Sequence, residues 1–547
     1  MSAECYPVSV LPHVTRLYAD FLAMGEEGGG AEVRRWYGSA PMSGEWMGRA
    51  SRAGGGSADA GALADALRAQ NVEFGAGAAA LGGIEKLRGG ARAVVTGQQV
   101  GLFGGPLLTI LKAATAIARA KEATAATGVE HVPIFWLATE DHDLEEVDQV
   151  SLLSKDAVER LRIGLTSQGE PVGGIAVGTG VDAVLEQAGE LLGFAPVWEW
   201  LRECYTPEAT LGGAFARFMA RIFKDQGLVV MDAAGREFHR LGAATLRAAI
   251  SRAEELEEAL LARTNELEAA GYHAQVLVKV GQSLLFLVDA ETGERQALLR
   301  GTDGVWKAGG NSYSEQELLE ILETTPERVS PNALLRPVFQ DTILPTAAYV
   351  GGPAEVAYFA QSAVLYGAIF GIGRLTAVLP RFSATILEPA IATVMAKDEV
   401  TLKDVFEAGT VSELTQRLGA RAMPIEGKRK LAAVGNALDA ELGALTSYLA
   451  AMDESLGRAA GVSASKMRYQ MNRLRRMAAT FEVQKEASLG KHALAMRNHL
   501  FPDGHPQERV IAGVWFLAQF GEDVSGFVDV LVGEAGTMCT GHGVVRF

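Results

Sequence analysis

Cysteine is scarce in this chain of 547 residues: Cys5, Cys204 and Cys539 stand far apart, with neither paired spacing nor a metal-ligand pattern. That excludes a disulfide-framework fold and a cysteine-built zinc site, and it leads us to expect free thiols in a reducing cytoplasm. Basic residues are outnumbered, with 50 Lys and Arg against 66 Asp and Glu and a formal net charge of -16. Neutralising nucleic-acid phosphates needs the opposite balance, so no nucleic-acid partner is expected. Long apolar runs are missing too. Each is interrupted by charge or proline well short of the ~20 residues that span a bilayer. The start, Met1-Ser-Ala-Glu-Cys-Tyr-Pro7, has neither a basic region nor an apolar core. We expect no membrane span and no signal peptide.

Hydrophobic residues are plentiful at 48%. The length exceeds the roughly 250–300 residues at which a single core stops growing, so several domains are expected. The most informative stretch is Val94-Val-Thr-Gly-Gln-Gln-Val-Gly-Leu-Phe-Gly-Gly-Pro-Leu-Leu-Thr-Ile-Leu-Lys112, an apolar run that enters a glycine-rich turn and leaves as a helix. Glycine lets a backbone approach a ligand, and a helix start favours an anion. Thr96, Gly97, Gln98, Gln99, Gly101, Gly104, Gly105 and Thr109 are the binding candidates there. The bland alternative is a tight strand-to-helix connection. It is no Walker A loop, because Lys112 lies inside the helix, and the G-x-G-x-x-G fingerprint is incomplete, so NAD is unsupported.

A second buried-strand pattern, Pro133-Ile-Phe-Trp-Leu-Ala-Thr139, runs straight into Glu140, Asp141, His142, Asp143 and Glu145. Asp141, His142, Asp143 and Glu145 are the catalytic candidates. Such a cluster suits Mg²⁺, an ammonium group, or a general base whose pKa is raised by like charges, and it also suits a solvated strand end. Zinc is disfavoured, since no second histidine follows at helical spacing. A third segment carries Arg336, Gln340, Asp341, Tyr349, Gly351, Gly352 and Glu355 within apolar sequence. The planar fork of Arg336 suits a carboxylate or a phosphate, and a buried Arg336–Asp341 pair is the plain alternative. Arg381 and Ser383 follow the expected last core strand, Leu375 to Ser383. The remaining histidines, including His239 and His542, read as structural or exposed.

Residues 1 to about 90 read as helices broken by spacers at Gly25–Gly30 and Gly54–Ser57. Strand, turn, helix and strand from Ala93 to Val150 make a βαβ unit, and strands alternating with helices predict a doubly wound parallel sheet. The middle of the chain, with hairpin signals at Ser283–Val288 and Arg295–Arg300, reads as an insertion. Leu431, Val434, Leu438, Leu442, Leu445, Leu449, Met452 and Leu456 recur at three- and four-residue steps, a coiled-coil seam. Gly461-Val-Ser463 is the expected break before a second seam from Met467 to Phe481. The basic run Lys466, Arg468, Arg473, Arg475 and Arg476 then lies on a solvated face.

The three motif-bearing segments, in order and spacing over nearly the whole chain, closely resemble the family of the bacillithiol biosynthesis cysteine-adding enzyme. The resemblance implies an α/β, Rossmann-like core related to class I aminoacyl-tRNA synthetases, inserted connecting segments, and a C-terminal coiled coil that makes a homodimer. Its division would be 1–160, N-terminal helices and the first half of the core; 161–330, insertions; 331–385, the second half; 386–508, the helical hairpin; and 509–547, a tail packing back on the core. The implied activity is an amide ligation of cysteine to glucosaminyl malate. A carboxylate joined to an amine in water needs activation, so ATP with Mg²⁺ is expected as cosubstrate. The glycine turn takes the place of the synthetases' His-x-Gly-His signature but lacks both histidines, and no Lys-Met-Ser-Lys-Ser loop accompanies Arg381 and Ser383. Two rival readings are a metal-dependent hydrolase built on Glu140 to Glu145 and a non-catalytic nucleotide-sensing dimer.

Overall fold

A computed structural model describes residues 4–26, 28–50, 59–301, 304–371, 373 and 376–546. The spacer at Gly54–Ser57, Glu27 of the first spacer, and Leu375 lie outside the described residues. The chain forms two compact units, one comprising residues 1–154, 158–384 and 508–545, the other 155–157, 385–507 and 546–547.

The first unit is built on five parallel strands: β1 (Arg92–Gln98), β2 (His131–Leu137), β3 (Val229–Asp232), β4 (Thr346–Gly351) and β5 (Ala377–Pro380). Their spatial order is β5-β4-β1-β2-β3, so the chain grows outward from β1 in one direction and then returns to the other side. That reversal places a crevice between the carboxyl ends of β1 and β4, the switch point where open α/β sheets bind ligands. Both faces of the sheet are covered, which explains its nearly continuous apolar strands. Ala93 and Val95 face one core cluster, while Val94 faces the other beside Ala116, Ala120 and Ala123. Those alanines belong to α1 (Leu108–Thr127), a helix buried on most of its circumference and ended by Gly128 in the left-handed conformation. Small side chains let α1 lie close to the sheet.

Residues 508–545 belong to this same unit. The tail helix Val524–Gly536 is held to α1 by Arg119, which donates to the carbonyls of Ala535 at 2.6 Å and Gly536 at 2.9 Å. A cation at the last carbonyls of a helix satisfies acceptors that have no partner within the helix. The inserted region contains a five-stranded antiparallel sheet in which Gln282–Val288 pairs with Arg295–Arg300, as the hairpin signals predict. Asp289 accepts the N–H groups of Glu291 and Thr292, both at 2.9 Å, and so fixes the turn.

Two expectations are corrected here. Cys5 and Cys539 are joined in a disulfide across 534 residues, leaving only Cys204 as a free, buried thiol. Strand Glu4–Tyr6 pairs antiparallel with His542–Arg546, and this contact has no signature in local spacing. In the second unit, helices α4 (Ile425–Met452) and α5 (Glu454–Lys485) meet at Asp453, not at Gly461–Ser463. Asp453 accepts from Ser455 N at 2.9 Å and Leu456 N at 3.1 Å, a helix cap that starts α5, and Gly461 is carried inside the helix at a cost of about 1 kcal/mol. Leu456 and the Ser463–Met467 segment therefore lie within α5. Two further helices of the first unit, α2 (Arg336–Ile343) and α3 (Pro353–Phe370), flank β4.

Candidate active site

The crevice at the switch point holds a cavity of about 550 Å³. Its floor is Lys112, which α1 directs back under β1. Lys112 Nζ lies 2.5 Å from Glu355 and donates to Gly97 O at 2.7 Å and Gln98 Oε1 at 2.9 Å. Burial lowers the Lys112 pKa against the pull of Glu355. Burial also opposes ionisation of Glu355, yet Lys112 and the Gly352 N–H hold its carboxyl below the usual range. Glu355 further accepts from Tyr349 Oη at 2.5 Å and from Gly352 N at 2.8 Å, so the start of α3 is tied to the same charge pair.

Beside this floor, Arg336 donates to Tyr358 Oη at 2.7 Å and Gln340 Oε1 at 3.1 Å, with its guanidinium 5.0 Å from the Tyr349 ring centre. The Arg336–Asp341 pair does not form. Asp341 instead accepts from Tyr366 at 2.6 Å and from Gln340 at 3.2 Å, and Thr376 also bonds it. Arg336 is thus left without a carboxylate partner among the described residues. Arg381 is engaged by Glu508, with contacts of 2.6 and 3.0 Å. The next tail residue, Arg509, lines the cavity with no carboxylate partner among the described residues. On the opposite charge, Gln99 Nε2 bridges Asp141 at 3.0 Å and Glu146 at 2.7 Å. Partial burial raises the Glu146 pKa, with Gln99 opposing.

The candidates from the glycine turn divide. Gly97, Gln98 and Gln99 line the main cavity, and Gly101 and Gly105 line an adjoining one. Gly97 is required by crowding, since a Cβ there would lie 2.7 Å from Trp136 O. Gly104, with φ of 87°, faces the Phe218 ring behind the turn, so its role is in packing. Thr96 is buried and donates to Val350 O at 2.9 Å, and Thr109 is buried beneath Gly105. The expected open helix start is corrected: the Leu107 N–H is taken by Ile511 O at 2.8 Å, and Gly105 O by Gly513 N at 3.0 Å. The C-terminal tail thus takes one N–H, that of Leu107, which the local sequence leaves free for an anion.

The acidic cluster also separates. Asp141 lines the cavity. Glu140 lies 2.8 Å from the buried His239, whose pKa is raised because Glu140 and the Val329 carbonyl outweigh its burial. His142 is half exposed, 3.4 Å from Arg295, Asp143 caps the short helix Leu144–Val147, and Glu145 is exposed. Among the described residues no three His, Cys, Asp or Glu side chains converge as metal ligands. Tyr349, Gly352, Glu355 and Arg381 line the cavity, whereas Gln340, Asp341, Gly351 and Ser383 do not. Sequence reasoning missed Lys112, Glu146, Tyr358 and Arg509. The cluster pattern pointed as far as Glu145; no signal marked Arg509, which lies 410 residues beyond Gln99.

A family described as bacillithiol biosynthesis BshC matches through its N-terminal Rossmann-like domain over residues 1–382 and its C-terminal coiled-coil domain over residues 384–545. The chain belongs to this BshC family. Relatives bearing the name "Putative cysteine ligase BshC" include one from Koribacter versatilis, 40% identical over 100% of both chains. Others come from Solibacter usitatus, 36% identical over 85% of each, and Salinibacter ruber, 34% identical over 87% of this chain and 88% of that one. The Rossmann-like core and helical C-terminal region of the BshC family are therefore those seen here. Among the described residues no helix is long and apolar enough to cross a membrane.

The tail that closes this site responds to acid. Glu508 accepts from Arg381, Ser383 and the Ala384 N–H, and Ser383 lies 2.8 Å from His542 Nδ1. Burial pushes the His542 imidazole down to about 4. Burial opposes the Glu508 charge, but Arg381 brings its pKa down to about 2. Both groups bind protons more readily when unfolded, so each stabilises the native chain at neutral pH and loses that effect on acidification. We expect stability to fall by a few kcal/mol as pH drops from about 6.5 to 4 through His542, and again from about 4.5 toward 2 through Glu508. Urea midpoints against pH check this, and His542→Asn should flatten the upper window alone.

Proposed function

We propose that the chain is an amide-forming ligase that joins the carboxyl group of cysteine to the amino group of glucosaminyl malate. The observation that carries this reading is the charge arrangement of one cavity: Arg336 and Arg509 have no carboxylate partner among the described residues, while Asp141 and Glu146 share the single amide of Gln99. The guanidiniums suit carboxylates or phosphates, and the carboxylates suit an ammonium or a departing proton. The names borne by the relatives support the same chemistry.

A free carboxylate has no adequate leaving group, so ATP with Mg²⁺ is the proposed cosubstrate. Arg336 would hold its phosphate oxygens, and Asp141 is a carboxylate available to the magnesium ion. When bound, the nucleotide supplies the leaving group; the chain's own residues orient the reactants and keep bulk water from the acyl carbon. The reading places the protein in the cytoplasm, beside its substrates. Mass spectrometry of purified protein with cysteine, glucosaminyl malate and ATP–Mg²⁺, omitting one component at a time, tests it. Amide product only in the full mixture is expected; product without nucleotide removes the activation step, and no product removes the ligase reading.

A homodimer through the hairpin is part of the proposal. Val434, Leu445, Tyr448, Met452, Leu474, Met477 and Phe481 are all exposed on α4 and α5, an apolar surface that a second hairpin would cover. Sedimentation should give a dimer at micromolar concentration. Leu445→Lys with Met477→Lys should give a monomer, and an already monomeric wild type would refute the partner.

A further inference from the structure

Behind the glycine turn a second cavity of about 230 Å³ shares Gln98, Gln99, Pro106, Glu146 and Arg509 with the main one. It has less than half the roughly 550 Å³ of the main cavity, so it is the smaller of two adjoining lobes. The two walls differ in chemistry. Glu146 and Arg509 stand at the shared boundary, while Val147, Val150, Val510 and Ala512 supply an apolar side to the lobe, next to the polar Gln149, Ser151 and Arg160. This lobe exists because the tail bridges the turn: Ala512 N donates to Ser151 O at 2.9 Å, and Pro106 pairs with Ala512.

We infer that the smaller lobe is the amino-acid subsite, taking an α-amino acid with a small apolar side chain, with its ammonium on Glu146 and its carboxylate on Arg509. This rests on the ligase reading for the identity of that amino acid as cysteine. Opposite charges at one boundary match a zwitterion, which a lone cation or a lone carboxylate does not. The –CH2–SH group then points at the valines, and the carboxylate lies at the boundary with the larger cavity, where the second substrate's amine can reach it. Partial burial raises the Glu146 pKa, and an ammonium held against it would oppose that shift. The smaller lobe is expected to favour short side chains over large aromatic ones.

The test is calorimetric binding of L-cysteine under reducing conditions, with and without a non-hydrolysable ATP analogue, to the full chain and to Glu146→Gln and Arg509→Gln. Both side chains are exposed, so both variants should fold, which circular dichroism verifies. Each substitution should weaken cysteine binding about tenfold or more, the equivalent of one charged hydrogen bond. Two truncated ligands sharpen the assignment. Cysteamine, which lacks the carboxylate, should be indifferent to Arg509→Gln yet sensitive to Glu146→Gln; 3-mercaptopropionate, which lacks the amine, should show the reverse. Phenylalanine should not compete. Undetectable millimolar binding to the wild type under both conditions, or wild-type binding by both variants, overturns the subsite. Cysteine binding with the expected ligand pattern but no amide product leaves the subsite standing and sinks the ligase. Product formation at an unchanged KM for cysteine in both variants does the opposite.

Discussion

Glu355→Leu should destabilise the protein by about 3–5 kcal/mol, the cost of leaving a buried charge without its partner. The group left behind is Lys112, only 3% exposed, whose remaining acceptors would be the Gly97 carbonyl and the Gln98 amide oxygen. Neither carries a formal charge. The same change frees the Tyr349 hydroxyl and the Gly352 N–H, two donors that Glu355 now satisfies. Replacing both charges, as Lys112→Met with Glu355→Leu, should recover much of the stability, because matched apolar groups escape the desolvation cost. Urea denaturation of the four proteins in this cycle measures the coupling. A single Glu355→Leu variant within about 1 kcal/mol of wild type would show that Lys112 can shed its proton or reach solvent. The catalytic consequence is expected to be equally large, since the pair forms the floor of the cavity.

Arg336→Met should lower kcat/KM for the anionic substrate by about 10²–10³-fold, as truncation of one side of a buried charged contact does. Stability should hardly change. Arg336 has no carboxylate to abandon, and its present partners are the Tyr358 hydroxyl and the Gln340 amide, with Tyr349 and Tyr358 flanking the guanidinium. Methionine fills the space of the stem against those rings. Lysine should fail to restore activity, because a point charge cannot reproduce a planar fork. If Arg336→Met retains wild-type kcat/KM, the anion is held elsewhere, and Arg509 is the other unpartnered guanidinium in the cavity. A melting temperature that collapses in step with activity would instead make Arg336 a packing residue.

The pattern of legible and illegible residues has a common cause. Gly97, Gln98, Gln99, Arg336, Tyr349, Gly352, Glu355 and Arg381 were readable because each sits at the end of an apolar strand or at the start of the following helix, where α/β sheets expose ligand-binding groups. Asp141 was readable for the same reason. Its neighbours Asp143 and Glu145 looked equivalent in sequence, but the short helix Leu144–Val147 turns Asp143 into a cap and leaves Glu145 exposed, while Glu146 comes back to Gln99. A rotation of one residue along a helix decides which carboxylate enters the site, and composition does not report it.

Periodicity in this sequence determined the local elements: the parallel core strands, the helix that follows the glycine turn, the inserted hairpin and the two long C-terminal helices. It did so because burial on one face or two imposes a repeat that a single segment carries by itself. Tertiary structure alone decided that the tail closes the glycine turn, that Glu508 neutralises Arg381 and that Arg509 enters the cavity. It also decided that Cys5 meets Cys539, through pairing of strands at the two ends of the chain. Those contacts join residues hundreds of positions apart, so their geometry depends on how the whole sheet and α1 pack, and no short stretch of sequence contains it.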